Sequence, residues 1–338
     1  MALPHQHRCR VLTVRSVLRG VFAVVLLMAL LLVLVPLTET GTRWLLSRLG
    51  DYAPIAIEHE SGTLLAGLHL ANISLVVDGL DVQLEQVELA LNPGCLWNSR
   101  VCVSTLSARS VEVTLSDADQ ERSAADTDLS PESFEFPVDV AVSAVALDSL
   151  LVTWPGGSWR NEGLTGAVNI TADQLQLDQV HVTGGRIVLD QAVDEQVRDY
   201  PLVLPDINLP FSLLVDTLQL EQGSYDLYGQ EGSIDELALT GEWSRYTVSL
   251  ATLTLKTAQA NLNLAGSLRM RESWWLQAQA ALAMAQPLPA DPLALNRMTL
   301  NLEGAMAQLG WEAILDATDT PFNLPDTQLR LSGEINTT

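Results

Sequence analysis

The 338-residue chain carries 18 basic and 41 acidic side chains, a formal charge of −23, and 48% of its residues are hydrophobic. That length suffices for one long or two ordinary domains. The acidic balance excludes nucleic acid as a partner, because affinity there comes mostly from cations that neutralise phosphates, and it opposes adsorption to anionic lipid surfaces.

The charge is unevenly placed. Arg8, Arg10, Arg15 and Arg19 come first with no acid among them, and the later chain holds 14 basic and all 41 acidic residues, a net of −27. Between the two lies an uncharged apolar stretch, Gly20 to Thr38, bounded by Arg19 and Glu39. As a helix at about 1.5 Å per residue it reaches roughly 29 Å, enough to cross a hydrocarbon core. Pro36 falls in its last turn, where a missing amide donor matters least. The stretch is longer than a cleavable signal's apolar region, and Pro36-Leu37-Thr38-Glu39-Thr40 offers no small-x-small cleavage site. The expectation is a single-pass signal anchor over 20–38. The basic tail 1–19 then lies in the cytoplasm and the body outside, by the positive-inside rule. His5, His7 and Cys9 in the tail have no fourth partner, so no zinc site is expected.

Residues 39–50 predict a short juxtamembrane amphipathic helix, with Trp44, Leu45 and Leu49 near one face. Arg43, Trp44 and Arg48 are its expected membrane-interface residues, because indole rings and long cations settle at that boundary. From Ile55 the texture becomes period two, the mark of strands with one buried face. It reads as a first β module over 51–116, with turns at Asp78-Gly79 and Asn92-Pro93-Gly94. Cys95 and Cys102 flank the second turn; in an oxidising compartment they suit a disulfide across a hairpin neck, against two reduced thiols in a small apolar cluster. Residues 117–133 are acidic and almost without large apolar side chains, a flexible linker rather than a calcium loop, since the glycine and spacing of an EF-hand are missing. Alternation resumes over 134–338 in segments such as Val138-x-Val140-x-Val142, Val145-x-Leu147, Leu150-x-Val152 and Leu262-x-Leu264. Recurrent Leu-x-Leu units suggest degenerate repeats.

No catalytic constellation is visible. His59, His69 and His181 are widely separated, the latter two at the polar phase of strands, and there is no P-loop, G-x-S-x-G or H-E-x-x-H. The expectation is a non-enzyme without metal or cofactor. The Trp residues read as core or edge-sealing rather than as a sugar-stacking row. Asn72-Ile-Ser74 and Asn169-Ile-Thr171 match glycosylation sequons, which arise often by chance.

Residues 62–115, GTLLAGLHLANISLVVDGLDVQLEQVELALNPGCLWNSRVCVSTLSARSVEVTL, resemble the first periplasmic module of the TamB family. They pair a G-S/T-L-L-x-G-L-x-L opening with a later N-P-x-C-L…V-C-V turn. GTRWLL at Gly41–Leu46 is similar to that family's N-terminus, and VDVAVSAVALDSLLVTWP and TLQLEQGSYDL are similar to its later repeats. The resemblance implies a mainly β protein: one N-terminal transmembrane helix, then an elongated, curled antiparallel β-sheet, a repeating β-groove or β-taco. It implies a Gram-negative bacterial inner-membrane protein with its body in the periplasm. Its partners would be phospholipids and TamA, an Omp85-type outer-membrane protein, in outer-membrane protein assembly and lipid movement. Leu68, Leu70, Val82, Leu84, Val140, Val142, Val168, Ile170, Leu262 and Leu264 are the expected groove lining. Family members are several times longer and engage TamA through a C-terminal domain that nothing here resembles, so the chain is expected to be a fragment or truncated product. The rival reading is a scaffold that holds outer-membrane β-proteins by strand addition without carrying lipid. A weaker third is a eukaryotic type II ectodomain.

Overall fold

A computed structural model describes residues 37–52, 54–64, 66–77, 79–98, 100–116, 138–190, 207–271, 273–290, 293–318 and 327–336, with positions 28 and 136. The basic tail, most of the apolar stretch 20–38, the acidic linker 117–133 and residues 191–206 lie outside them. No described helix is long and apolar enough to cross a membrane.

A helix, α1 (Glu39–Tyr52), leads into the strands. Thr38 caps it, its hydroxyl accepting from the Gly41 amide at 3.1 Å, which satisfies one of the donors every helix start leaves free. A single sheet of 17 strands follows. The first five are β1 (Ile55–Thr63), β2 (Gly67–Val77), β3 (Leu80–Asn92), β4 (Arg100–Leu115) and β5 (Asp139–Trp154), with a 3-10 helix, Pro93–Asn98, between β3 and β4. Next come β6 (Gly157–Asn161), β7 (Gly163–Ile170), β8 (Gln174–Thr183) and β9 (Arg186–Leu189). The remainder are β10 (Ser212–Leu227), β11 (Gln230–Ser244), β12 (Thr247–Lys256), β13 (Ala260–Arg269), β14 (Trp275–Ala290), β15 (Leu293–Ala305), β16 (Gln308–Thr318) and β17 (Thr327–Asn336).

Pairing follows the chain. One half of β5 pairs with β7 and the other with β6, and these lead to β8 and β9, which lie end to end beside β10. The ribbon is not wholly antiparallel, which corrects the expectation from sequence. β4 meets β5 in parallel, and β8 and β9 meet β10 in parallel. Parallel neighbours need a long crossover, and the chain is longest between β4 and β5 and between β9 and β10. The turns fall on two rims. The first carries residues 64–66, 93–98, 171–173, 245–246 and 270–274; the second carries 78–79, 155–156, 228–229 and 257–259.

Several stretches that read as separate alternating segments are single long strands. On β5 the apolar positions are Val140, Val142, Val145, Leu147, Leu150 and Val152, so the spacing slips from two to three twice. β4 makes the same slips in register: Val101, Val103, Leu106, Ala108, Val111 and Val113 are the partners of those six residues. Each slip marks an interrupted ladder, and the interruptions line up across the sheet. One line runs from His59 through Gln86, Arg109, Asp148, Glu162 and Gly184–Gly185 to Gln222. The other runs from Ser104 through Ser143–Ala144, Ala167, Gln179 and Asp216–Thr217 to Ala251–Thr252. Bulges bend a strand and increase its twist, so two parallel lines of them crease the ribbon lengthwise into one long curled sheet. Gln86, Gln179 and Gln222 take left-handed backbone, with φ of 49°, 50° and 57°.

Packing at the first crease is tight. A Cβ on Gly185 would stand 2.5 Å from Leu220 Cδ1 and 2.8 Å from the Trp159 ring. Gly185→Ala should therefore cost about 1–3 kcal/mol as overpacking, read as a lower urea midpoint. At the far edge, β17 is exposed on both faces. There the hydrogen bond from Arg330 holds the Glu312 carboxyl below the usual carboxylate range. A depressed folded pKa contributes stability above the unfolded value, near about 4.3, that is lost as pH falls through the folded one. Acidification should thus speed hydrogen exchange of β17 amides beyond the intrinsic rate change, and Glu312→Gln should remove that pH dependence.

Candidate functional site: an uncovered apolar trough

Residues directly paired across strands point to the same face, so the register shows which side chains share a surface. Rows of apolar residues run across the sheet. One row is Val103, Val142, Val168, Leu177 and Val215. Another is Leu220, Leu237, Leu255, Leu262, Leu282, Met298, Leu315 and Leu329. Leu264 lies in the neighbouring row, between Leu253 and Ala280. Leu68 pairs with Leu89, Leu70 with Val87, and Val82 and Leu84 with Val113 and Val111. Val140 pairs with both Val101 and Ile170. All ten candidate lining residues therefore stand on one face. Clusters that join Leu106 to Val111, and Leu177 to Val180, show that this face stays continuous across both creases.

The opposite face carries the polar partners. Lys256 Nζ meets Glu236 at 2.6 Å, His69 stands 3.4 Å from Glu88, and Arg186 stands 3.7 Å from Glu231. His69 and His181 belong to this polar face. His59 instead places Nε2 3.1 Å from the Gly62 carbonyl oxygen, with its other ring nitrogen buried and unpartnered among the described residues. No group of side chains among the described residues is placed to hold a metal ion.

The apolar face is covered at one place only among the described elements. Helix α1 lays Leu46 into a cluster with Leu68, Leu70, Val87, Ala108 and Val111. Thr42, one turn earlier, is fully buried and accepts from the Leu64 amide at 3.4 Å. The helix runs two residues beyond the expected 39–50, and its packed face is Thr42 and Leu46, displaced from Trp44. Trp44 is 55% exposed, with the Arg48 guanidinium 5.8 Å from its ring centroid; Arg43 is exposed as well. Further along, the trough is open. On β12–β14 it holds an apolar hollow of about 170 Å³ lined by Val248, Leu250, Leu264, Leu268 and Leu276.

Two features stand on the first rim. Cys95 and Cys102 are joined, with Cα atoms 5.8 Å apart, and the clamped 3-10 helix presents Trp97, 93% exposed. The second is a cavity of about 480 Å³ lined by Ser212, Ser244, Arg245, Tyr246, Thr247, Arg269 and Arg271. Sequence reasoning passes over these arginines. Ser244 pairs with Thr247 and Thr247 with Arg269, so residues 24 positions apart meet only through the register, and the one local signal is the Arg269-x-Arg271 spacing.

A long, creased sheet with one continuous apolar face, uncovered beyond α1 among the described residues, defines the elongated β-groove class. The family described as TamB, N-terminal domain, matches residues 26–318, and the chain belongs to the TamB family. No solved structure matches it.

Replacing Cys95 and Cys102 by Ser releases a short loop closure worth about 2.5 kcal/mol on a chain-entropy estimate. Amides of residues 93–106 should then exchange markedly faster while those of β10–β13 keep their protection. Unchanged exchange at 93–106 would show that the clamp does not hold this corner.

Proposed function

We propose that the chain is the membrane-proximal part of a periplasmic conduit, whose trough carries phospholipid acyl chains between the inner and outer membranes and so supports outer-membrane protein assembly. The observation that carries this reading is the apolar face, continuous over rows of paired residues and, among the described residues, without a second layer beyond α1. A surface of that extent in water is costly unless something apolar occupies it. An acyl chain gains about 0.8 kcal/mol per methylene transferred from water, which needs no specific polar contact and permits sliding. Strands of up to 16 residues and fifteen strand positions at about 4.8 Å give a track of roughly 70 Å.

In this reading residues 20–38 anchor the chain in the inner membrane with the N-terminus in the cytoplasm. Arg43, Trp44 and Arg48 face the membrane boundary, their exposure fitting that role. The Cys95–Cys102 bridge fits the oxidising periplasm, and a TamA-like outer-membrane protein is the partner at the far side. TamB proteins are transport and assembly proteins, and no catalytic role is assigned to this chain. The edge of β17 supports a second reading. Its outer side is unpaired among the described residues and Leu329, Leu331 and Ile335 are 40–49% exposed, so it suits strand addition by an unfolded β-protein.

Crosslinkers separate the two. Photoreactive residues at Leu250 and Leu264 should recover lipid, and at the β17 edge nascent β-protein. Asp at Val140, Val168 and Leu262 should reduce lipid capture at least about tenfold, since each places a charge against an apolar track. Lipid capture that persists in such a folded, membrane-inserted variant would sink the conduit reading.

A further inference from the structure

The rim cavity is at odds with the rest of the molecule. The chain is strongly acidic, and all but one of its basic residues are arginines, Lys256 being the exception. Most of its charged pairs lie along the polar face. Yet Arg245, Arg269 and Arg271 line one cavity with no carboxylate among its lining residues, and none of the three forms an ion pair among the described residues. Three guanidinium groups brought together repel one another unless an anion joins them.

The cavity is also held in shape. Arg271 lies over the Tyr246 ring at 4.9 Å, which fixes a long side chain. The Tyr246 carbonyl accepts from the amide of buried Met270 at 2.7 Å, and the Arg245 carbonyl accepts from the Leu209 amide and from Trp243 Nε1. The hydroxyls of Ser212, Ser244 and Thr247 complete a lining rich in donors. Planar, fork-shaped guanidinium donors match the paired oxygens of a phosphate far better than ammonium groups do.

What lies beside it narrows the ligand. Thr247 is followed by Val248, and Arg269 is preceded by Leu268. Val248 and Leu268 belong to the apolar hollow on the other face of the same strands. Residues adjacent in the chain, Thr247 and Val248, and Leu268 and Arg269, thus line the polar cavity and the apolar hollow at the first rim. That is also the rim where α1 begins, since Thr42 accepts from the Leu64 amide there.

We propose that Arg245, Arg269 and Arg271 form a docking site for the phosphodiester headgroup of an anionic phospholipid, whose acyl chains enter the trough at Val248, Leu250 and Leu268. This rests on the reading of the trough as an acyl-chain track. It adds a fixed station to that track: the headgroup is held on the rim while the chains slide below. The site turns a small part of a repelling surface into one that accepts the anion.

The test uses the full chain in neutral detergent and two photoactivatable probes with the diazirine in the acyl chain, phosphatidylglycerol and diacylglycerol. In Arg245→Gln/Arg269→Gln/Arg271→Gln, labelling by phosphatidylglycerol should fall at least about tenfold, because charge-assisted bonds to the phosphate are lost. Labelling by diacylglycerol should stay as in the unchanged chain. The corresponding triple Lys variant, which keeps charge and loses the fork geometry, should fall between them, and matched melting curves certify both folds. If labelling by both probes is unchanged in the triple Gln variant, or falls equally, the headgroup site is overturned while the trough stands. Tight binding of inorganic phosphate by the unchanged chain, with no preference for the lipid, overturns the lipid assignment in favour of a free phosphate. If neither probe labels the unchanged chain, it is the trough reading itself that fails.

Discussion

The rest of the structure depends on an apolar sheet face that, among the described residues, has no second layer beyond one short helix. Globular domains normally hide such a face against helices or another sheet. Among the described residues the covering lies at one end, where α1 places Leu46 over the first strands. Beyond that point the described face is shielded by the curvature of the sheet. The result is a protein with few fully buried side chains along most of its length and with rows of half-buried Val and Leu instead.

Curvature has its own cause. A strand of 16 residues cannot bend sharply while keeping an unbroken ladder, so the bending is concentrated where the ladder is interrupted. The interruptions cost hydrogen bonds, and they place Gln86, Gln179 and Gln222 in left-handed backbone, a conformation few non-glycine residues adopt. Because they fall in register on neighbouring strands, each crease runs lengthwise and leaves the apolar rows unbroken. The two parallel joints, β4 with β5 and β8 and β9 with β10, extend the same rows across strands that are not joined by a tight turn.

Electrostatics separates the two faces. Carboxylates and their partners follow the polar phase of the strands, which keeps the outside soluble and repels anionic surfaces. Against that background the three arginines on the first rim form a local exception, beside the hollow on the apolar face and on the same rim as the start of α1. A polar end and an apolar end of one ligand find matching ground within a few residues of each other.

Much of this was legible without coordinates. Period two declared strands, and the apolar phase named side chains that share a face. Local turn chemistry and the spacing of Cys95 and Cys102 marked the disulfide-clamped corner. What was not legible is everything that depends on partners distant in the chain. Val140-x-Val142, Val145-x-Leu147 and Leu150-x-Val152 read as separate segments because a spacing of three breaks an alternating pattern; only pairing with β4 shows that the breaks are bulges within one strand. Which face of α1 packs was not legible either, since only the strands beneath it show that Thr42 and Leu46 are its buried side chains. The meeting of Arg245 with Arg269 and Arg271 likewise exists only in the register. The amino-acid sequence by itself determined which residues are apolar, in what local period, and hence that there is a sheet with two unlike faces. The tertiary structure alone decided where that sheet bends, how its ends join and which side chains become neighbours, because register is a property of pairs of strands and no single strand contains it.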